Sequence, residues 1–329
     1  MPARTIGRAV LGTAVSVVAI VLVLSSVDLT QTLDVLASAS LGWVLGAAAL
    51  VCVDLAIRSL RWQRLLAPIR HVAYRAVGSY LLVGYLANNV LPARLGELVR
   101  SHYLGDREGL SRTTTLGTVV VERVIDTAVV VAIAAFAILI LNVRGVVTNA
   151  VIIGAAVAAL LLVALAIAVA AHRLPGGAAV MRFIDRWPRV AQAVERLRNG
   201  LSVAGRPRTL AEVLALSALA WATTSLAFAA AGQAVGLELR IGEAALIASG
   251  VALASAIPSG PGYLGTFELA ALKIAEALGK PAEQAFALAL LAHVTILVIT
   301  SAGGLVVLNR LGWRRRVEPA TPANPATPD

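Results

Sequence analysis

The stretch from Asn88 to Arg100 reads Asn-Asn-Val-Leu-Pro-Ala-Arg-Leu-Gly-Glu-Leu-Val-Arg, and it lies among segments that are apolar enough to cross a membrane. Pro92 lacks a backbone N–H and disfavours helix in the residue before it, so a helix that enters this stretch must break. Broken backbone at membrane depth is tolerated only where protein or a water-filled cavity covers it. Arg94, Glu97 and Arg100 follow the break, and ionisable groups at this depth usually serve a function. The alternative interpretation is a cytoplasmic loop whose charges are solvated.

A second copy of this break lies in the other half of the chain. The stretch from Pro261 to Gly265 reads Pro-Gly-Tyr-Leu-Gly and repeats the Pro-x-x-Leu-Gly pattern of Pro92 to Gly96, 169 residues further along. Three identities in five positions are weak evidence alone. Their weight depends on whether the two copies occupy equivalent places in the topology.

The composition indicates a polytopic α-helical membrane protein. Hydrophobic residues make up 59%, charged residues 14%, and the mean hydropathy is +0.84, which excludes a water-soluble domain. The net charge of +10 comes from Lys and Arg beside apolar runs, so we attribute it to the positive-inside rule and anionic lipid, and predict no nucleic-acid partner. A single cysteine and four scattered histidines give no disulfide framework and no metal-ligand spacing, so no metal or other cofactor is predicted.

Charge and length predict the first two spans. The apolar run from Ala9 to Val27 is longer than the ~7–15 residues of a signal-peptide core, which favours an uncleaved span. Residues Asp28 to Ser40 carry two aspartates and no Lys or Arg, as expected of an outside loop. Leu41 to Leu60 is the second span, with Trp62 as an interfacial anchor and five arginines, from Arg58 to Arg75, marking the cytoplasmic side.

The next apolar segment is too short to cross. Ala76 to Leu91 has about 16 residues, whereas a span needs about 20. If it crossed, the basic loop from Ala171 to Arg208 would lie outside and violate the positive-inside rule. We therefore predict that residues Ala76 to Arg112 dip into the membrane and return to the cytoplasm.

The remaining segments follow from the same reasoning. Residues of about 178–204 form an amphipathic segment, either on the inner leaflet or as an ordinary helix that covers the bundle. Ile241 to Ile257 is another short apolar segment, broken by Pro258 to Gly262 and followed by Tyr263 to Leu278. The two parts are predicted to dip in from the outside as a hairpin. The other predicted spans are Leu116 to Leu141, Val146 to Ala171, Leu210 to Val235 and Phe286 to Leu308.

These assignments give six full transmembrane helices and two re-entrant helical hairpins that enter from opposite sides. Such an arrangement is typical of an inverted repeat, whose broken helices meet near the midplane and form the substrate site. Residues 1–316 are predicted to form one transmembrane domain with halves of about 1–171 and 172–316. Residues 317–329, rich in Pro, Ala and Thr, are predicted to be a disordered tail. Both termini are expected in the cytoplasm, at the cell (inner) membrane.

The polar groups at the breaks suit a charged lipid headgroup better than catalysis. No hydrolase, phosphate-loop or metalloprotease motif occurs, so we predict no catalytic residue and no enzyme activity. Arg94 and Arg100 flank Glu97 at a helix start, where free N–H groups and the helix dipole favour an anion. The substrate-binding candidates are Asn88, Asn89, Arg94, Glu97, Arg100, Glu122, Arg123, Asp126, Ser259, Gly262 and Glu268, and the structural breaks are Pro92, Gly96, Pro258, Pro261 and Gly265.

Structural alternatives exist for several of these residues. The charges between Arg94 and Asp126 would equally serve to fix the hairpin by ion pairing. Glu122 and Asp126 are one helical turn apart, so Arg123 is expected to point elsewhere. Asp54 and Arg58 are interpreted as a self-neutralised anchor. The asparagines would bind a headgroup or cap broken backbone, and His293 is expected to pack or hydrogen-bond rather than relay protons.

Four segments resemble the transmembrane, flippase-like family of lysylphosphatidylglycerol synthases. They are Arg58–Trp62, Asn88–Arg100, Glu122–Asp126 and Pro258–Glu268, and they cover nearly the whole hydrophobic region in order. The resemblance implies a polytopic inner-membrane protein that moves or binds amphipathic lipids, such as aminoacylated phosphatidylglycerol or a polyprenyl-phosphate-linked sugar. The soluble domain that transfers the amino acid in full synthases is not expected here. The resemblance therefore implies a stand-alone translocase or a lipid-binding partner of an enzyme.

Two other functions remain open on the sequence. The chain could be a secondary transporter of a small polar solute, since inverted repeats serve many such carriers. It could also be a non-transporting scaffold that presents a lipid to a partner enzyme. A lateral opening towards lipid would favour lipid movement, whereas a sealed aqueous cavity would favour solute transport.

Overall fold

The computed structural model describes residues 3–91, 95–170, 186–257 and 259–317. Within these ranges the chain forms twelve α-helices and no strand. The helices are α1 Ala3–Leu24, α2 Leu29–Ala37, α3 Leu41–Leu66, α4 Tyr74–Val90, α5 Gly96–Glu108, α6 Arg112–Leu141, α7 Val146–Ala170, α8 Pro188–Leu201, α9 Pro207–Ala234, α10 Ile241–Ala254, α11 Thr266–Ala277 and α12 Ala282–Val317.

Five helices, α3, α6, α7, α9 and α12, are long and apolar enough to cross a membrane. The apolar part of α1 reaches the length and hydropathy of a span only when it is counted together with α2, and these two helices are bent by 85° at their junction. On α7, only Val151 and Ala158 are buried, so most of its side chains face the surroundings as they would face lipid. The chain is an all-α polytopic membrane protein, as predicted.

The predicted outside loop from Asp28 to Ser40 is wrong in one respect, because it contains α2. Asp28 is the N-cap of this helix, and its Oδ1 accepts hydrogen bonds from the backbone N–H groups of Thr30 (2.8 Å) and Gln31 (3.1 Å). Aspartate is among the preferred N-cap residues. The acidic residue taken as a loop signal therefore starts a helix.

The second span also differs from its prediction, since α3 continues to Leu66 instead of ending at Leu60. Trp62, predicted as an interfacial anchor, is fully buried. Its Nε1 donates a hydrogen bond of 3.3 Å to Thr118 Oγ1 on α6. Two of the arginines read as cytoplasmic markers, Arg58 and Arg61, are therefore buried on this helix.

Helices α4 and α5 form the first hairpin, and α10 and α11 form the second. Gly96 begins α5, and Gly265, with φ of +84°, caps the start of α11. Each copy of the Pro-x-x-Leu-Gly pattern therefore ends where its returning helix starts. Pro261 opens a short 3-10 turn before Gly265, whereas Pro92, Arg94 and Pro258 lie outside the described residues.

The two halves repeat in their helix boundaries. Helices α9, α10, α11 and α12 begin within three residues of the starts of α3, α4, α5 and α6 shifted by 169. The packing follows the same correspondence. Helix α4 of the first half packs on α12 of the second, and the equivalent helix α10 packs on α6. The offset read from the short Pro-x-x-Leu-Gly match is thus the offset of the whole repeat.

The repeat is inverted, because the corresponding helices α3 and α9 run antiparallel. The backbone N–H of Ser40, before α3, donates to the carbonyl of Ala234 (2.8 Å) at the end of α9. Further along α3, Arg58 donates to Thr224 (3.3 Å). As the residue number rises along α3, the number of the partner on α9 falls. Opposite direction of equivalent helices is the defining property of an inverted-topology repeat.

Each hairpin has its own apolar core. The core around the first hairpin includes Trp62, Leu65, Val77, Leu104 and Ile125. The core around the second includes Phe228, Leu246, Ile247, Leu272 and Leu288. The two hairpins are therefore anchored separately, and the space between them is the junction of the two halves.

The amphipathic segment predicted at about 178–204 contains α8, and its residues up to 185 lie outside the described part of the chain. A Cβ added to Gly200 of α8 would lie 2.2 Å from the carbonyl oxygen of Thr114 on α6. The backbones of the two helices are thus in direct contact, while Trp187 and Val190 remain exposed. This helix covers the bundle and still presents apolar side chains outward.

Candidate functional site

A cavity of about 350 Å³ lies between the two hairpins. Its wall contains Asn88, Asn89 and Glu97 from the first hairpin, and Leu253 and Tyr263 from the second. Helices α3, α6, α9 and α12 complete it. Residues on either side of both breaks therefore line one shared chamber inside the protein.

Arg61 on α3 is the buried centre of an ion-pair network beside this cavity. Its side chain is 0% exposed and contacts two carboxylates of α6. The guanidinium lies 3.0 Å from Glu122 Oε1 and donates two hydrogen bonds to Asp126, one of them 3.0 Å long, through Nη2. Burying an arginine is costly unless it is paired and hydrogen-bonded. Here carboxylates 61 and 65 positions away pair with the two Nη groups, whereas Nε has no hydrogen-bond partner among the described residues.

The network continues on both sides of Arg61. Arg100 on α5 donates two hydrogen bonds of 3.1 Å to the two oxygens of Glu122. Arg58 donates one of 2.7 Å to Asp54 and lies 3.8 Å from Asp126. Together with Arg123, four arginines face three carboxylates in this network, so its formal charge is one more positive than negative.

Two tryptophans hold arginines of the network by their ring faces. The Arg100 guanidinium lies 4.6 Å from the ring centroid of Trp62, and that of Arg58 lies 4.8 Å from the ring centroid of Trp221. Stacking of this kind is a favourable cation–π contact. Trp221 also donates a hydrogen bond of 3.2 Å to Asp126. The guanidinium planes are therefore fixed before any ligand binds.

Arg123 is the member of the network that reaches the open part of the cavity. Its side chain is 45% exposed, whereas Arg58, Arg61 and Arg100 are buried. The expectation that Arg123 points away from Glu122 is wrong, because its Nη2 donates a hydrogen bond of 2.6 Å to Glu122 Oε1. The long side chain folds back to its neighbour, which spacing along a helix does not reveal.

All charges of this network belong to the first half. The positions 169 residues after Asp54, Arg58, Arg61, Arg100, Glu122, Arg123 and Asp126 hold Thr223, Ala227, Ala230, Leu269, Leu291, Ala292 and Thr295. The described part of the cavity wall from the second half accordingly holds no Asp, Glu, Lys or Arg side chain and is largely apolar, with Phe228, Ala248, Val251, Leu253 and Ile296 among its members. Its ionisable residues are Tyr263 and His293. The cavity has one charged wall and one apolar wall.

The asparagines at the tip of the first hairpin have two different tasks. Asn88 Oδ1 accepts a hydrogen bond of 2.7 Å from the backbone N–H of Gly96, across the break. Asn89 Nδ2 donates to the hydroxyls of Thr300 (2.8 Å) and Ser301 (2.9 Å) on α12. Asn88 thus caps the returning helix, and Asn89 ties the first hairpin to the second half. Both also line the cavity.

Three candidates from the second hairpin lie behind the cavity wall rather than in it. Ser259, Gly262 and Glu268 are buried, and none of them lines the cavity, whereas Tyr263 and His293 do. The carboxylate of Glu268 is occupied by His293 and by the backbone of its own helix start. The geometry therefore gives Glu268 a structural position instead of the predicted ligand contact.

Sequence analysis missed several residues of the charged wall. Asp54, Arg58 and Trp221 line the cavity, although the first two were taken as an anchor. A usable signal was present, because Asp54, Arg58 and Arg61 follow at helical spacing on one face of α3. Among the described residues, no group of three His, Cys, Asp or Glu side chains could hold a metal ion.

Residues 9–304 match the family described as "Lysylphosphatidylglycerol synthase TM region". The chain belongs to this family. The match spans every helix that lines the cavity, so the lysylphosphatidylglycerol synthase TM region includes both hairpins and the charged wall between them.

Two curated relatives match smaller parts of the chain. The UPF0104 membrane protein MJ1595 of Methanocaldococcus jannaschii is 29% identical over 118 residues, which are 35% of this chain and 35% of that protein. Glycosyltransferase AglD of Haloferax volcanii is 28% identical over 121 residues, which are 36% of this chain and 19% of that protein. The aligned parts thus span about a third and about a fifth of these relatives. No solved structure matches the chain.

Proposed function

We propose that this protein is a lipid translocase that holds the headgroup of an anionic or aminoacylated phospholipid, or of a polyprenyl-phosphate lipid, between its two hairpins. The observation that supports this most is the division of the cavity into a charged wall and an apolar wall. The charged wall would face the headgroup, and the apolar wall would face the carbon atoms that join the headgroup to its chains. Membership of the lysylphosphatidylglycerol synthase TM region agrees with a lipid as the ligand.

Arg123 is the residue we assign to the phosphate. Its side chain is the most exposed of the four arginines in the network. Guanidinium groups bind phosphate through paired N–H donors. Glu97 lines the cavity as well, and it would face the amino group of an aminoacylated headgroup. The three buried arginines pair with Asp54, Asp126 and Glu122, which leaves Arg123 for the phosphate.

Exposed apolar residues next to the charged wall give acyl chains a place outside the cavity. Val120, one turn before Arg123 on α6, is 44% exposed, and Leu98, which follows Glu97, is 51% exposed. A headgroup bound at Arg123 would leave its chains against these residues, within the bilayer. This arrangement supports a lipid ligand over a solute that enters a sealed chamber.

The inverted repeat supports movement in addition to binding. In inverted-repeat carriers, alternating access arises when one repeat rocks against the other around a fixed site between them. Here the cavity lies at the junction of the halves, where Asn89 of the first half bonds to α12 of the second. We place the protein in the cell (inner) membrane with both termini in the cytoplasm, on the basis of its arginine distribution.

Reconstitution in vesicles tests this function. Vesicles with the purified protein should expose fluorescent phosphatidylglycerol to a membrane-impermeant quencher faster than empty vesicles do. Arg123→Gln should slow this at least tenfold, because a phosphate loses its charged partner. Arg144→Gln, at the exposed turn after α6, is the matched control, and its rate of lipid movement should equal that of the wild type. Because one relative is named a glycosyltransferase, sugar-linked lipids belong in the panel. Equal rates in Arg123→Gln and the wild type would contradict the proposal.

A small polar solute is a second candidate, favoured by the cavity volume. About 350 Å³ is near the lower end for small-molecule sites and is enough for a headgroup-sized solute. Solute uptake that depends on Arg123, without lipid movement, would identify such a carrier. Lipid binding without movement of either kind would indicate a scaffold for a partner enzyme.

A further inference from the structure

His293 on α12 is buried, and both of its ring nitrogens contact oxygen atoms of the second hairpin. Nδ1 lies 2.5 Å from Glu268 Oε1, and Nε2 lies 2.7 Å from the carbonyl oxygen of Gly262. The ring stacks on Phe267 with a centroid distance of 4.1 Å, which fixes its plane. Glu268 Oε2 accepts a hydrogen bond of 2.7 Å from the backbone N–H of Gly265.

These contacts fix the number of protons that the Glu268–His293 pair carries. A carbonyl oxygen only accepts hydrogen bonds, so Nε2 must carry a proton to hold Gly262. The short contact between Nδ1 and Glu268 needs a second proton, which resides either on the imidazole or on the carboxyl group. In both cases the pair is neutral overall.

Removal of one proton breaks one of the two contacts. If the remaining proton stays on Nε2, the lone pair of Nδ1 faces the Glu268 carboxylate at 2.5 Å and repels it. If it moves to Nδ1, the lone pair of Nε2 faces the Gly262 carbonyl, and the hydrogen bond between His293 and the turn is lost. The second outcome keeps the buried carboxylate paired, so it is the less costly one.

Gly262 belongs to the turn that meets the tip of the first hairpin. Its backbone is in the left-handed region, with φ of +65°, and a Cβ built on it would lie 3.5 Å from the backbone oxygen of Asn89. Asn89 is itself held to α12 by Thr300 and Ser301. The carbonyl to which His293 hydrogen-bonds therefore belongs to a residue that contacts the other half of the protein.

We propose that Glu268 and His293 form a proton-binding site that holds the turn of the second hairpin against the tip of the first, and that loss of the proton releases the turn. His293 lines the cavity, so the proton can leave to water there. The sign follows directly: the contact is intact at low pH and is lost as the pH rises.

Other ionisable groups surround the Glu268–His293 pair. Across the cavity, α3, α4, α5 and α6 present ionisable side chains, most of them in the charged wall, and the turn presents Tyr263. Helices α9 and α10 contribute Phe228, Thr224 and Ser255, which do not titrate, while α11 and α2 carry exposed groups on their outer sides. The groups concerned are Asp54, Arg58, Tyr85, Glu97, Arg100, Arg123, Asp126, Tyr263, Lys273, Glu276 and Asp34.

Glu268→Gln is the decisive variant, because a glutamine at this position mimics the protonated pair. Its amide N–H can donate to Nδ1, its carbonyl can accept from Gly265, and Nε2–H still holds Gly262. All three hydrogen bonds persist without a removable proton, so the variant should fold. Glu276→Gln is the matched control, since Glu276 pairs with Lys273 on the exposed side of the same helix.

Hydrogen–deuterium exchange of the peptide over residues 259–266 measures release of the turn in the purified protein. After correction for the intrinsic rate, wild type and Glu276→Gln should exchange about tenfold faster at high than at low pH, as expected from loss of one hydrogen bond. Glu268→Gln should stay protected at both. A flat wild-type profile, or the same rise in Glu268→Gln, would overturn the proposal.

A consequence for transport rests on the proposed function. If lipid moves through the cavity, its rate should vary with pH in the wild type and be constant in Glu268→Gln. Exchange that follows the expected pattern in a protein that moves no lipid would refute the proposed function and leave the proton site standing. Lipid movement together with an exchange rate that does not change with pH would refute the proton site and leave the proposed function standing.

Discussion

Arg100 and Glu122 are joined by two parallel hydrogen bonds of 3.1 Å, one to each carboxylate oxygen. This pair connects the returning helix of the first hairpin to the span that follows it. In the second half, Glu268 and His293 connect the equivalent helices, α11 and α12. The returning helix is therefore fixed to the following span in both halves, by an arginine–glutamate pair in the first and by a glutamate–histidine pair in the second.

We predict that Glu122→Gln destabilises the protein by about 3 kcal/mol, because breaking a buried ion pair leaves an uncompensated charge. Glu122 is 1% exposed and faces three arginines, Arg61, Arg100 and Arg123. Thermal unfolding in detergent measures the change. Glu212→Gln, at an exposed pair with Arg208, is the control and should cost less than about 1 kcal/mol. Equal melting temperatures for the two variants would contradict a structural role for the network.

Gly96→Ala should prevent the first hairpin from closing. A Cβ at Gly96 would lie 2.1 Å from the backbone oxygen of Gly84, and neither backbone can yield without separating α4 from α5. We expect the free energy of unfolding to fall by at least about 3 kcal/mol, the upper range for overpacking. Gly46→Ala on α3 meets nothing within 4 Å and should raise stability by up to about 1 kcal/mol. Comparable melting temperatures for both would show that the hairpin is loosely packed.

The cap across the first break predicts a graded response at Asn88. Asn88→Asp keeps the oxygen that accepts from Gly96 and adds a charge that suits a helix start, so its stability should equal that of the wild type. Asn88→Ala removes the acceptor and should cost about 1 kcal/mol. Melting temperatures in detergent distinguish the two. If the alanine variant proves as stable as the aspartate variant, the cap does not stabilise the break.

The aromatic ring of Trp221 should contribute more to stability than its hydrogen bond to Asp126. Trp221→Phe loses the hydrogen bond to Asp126 but keeps an aromatic face under Arg58, so we expect a cost of about 1 kcal/mol. Trp221→Ala removes both and leaves a void, with an expected cost of about 3 kcal/mol or more. Chemical unfolding of the two variants measures the difference. Equal costs would mean that Arg58 does not depend on the ring.

The sequence predicted the spans and the two hairpins because bilayer thickness and loop charge constrain them directly. It failed at Arg61, which was counted among the cytoplasmic arginines. That residue is buried because Asp126, 65 positions away, reaches it. No local pattern contains this partnership, so hydropathy assigns such an arginine to water.

The second hairpin shows the opposite case. Gly262 at its break was among the predicted substrate-binding residues, yet its carbonyl faces His293. The expectation that His293 forms hydrogen bonds is confirmed, whereas its two specific partners depend on how α11 folds back on α12. Asn88 is intermediate, since capping was one of two stated alternatives and the geometry provides that cap while also placing the residue at the cavity.

The antiparallel course of α3 and α9 constrains how such a protein can be assembled from parts. Two copies of the first half, delivered to the bilayer in the same orientation, would present their α3 helices side by side in one direction and could not reproduce the Ser40–Ala234 and Arg58–Thr224 pairings. A single-half ancestor would have needed to insert both ways round. Fusion into one chain removes that requirement, and it also lets one half keep all four arginines of the network while the equivalent positions of the other half become uncharged.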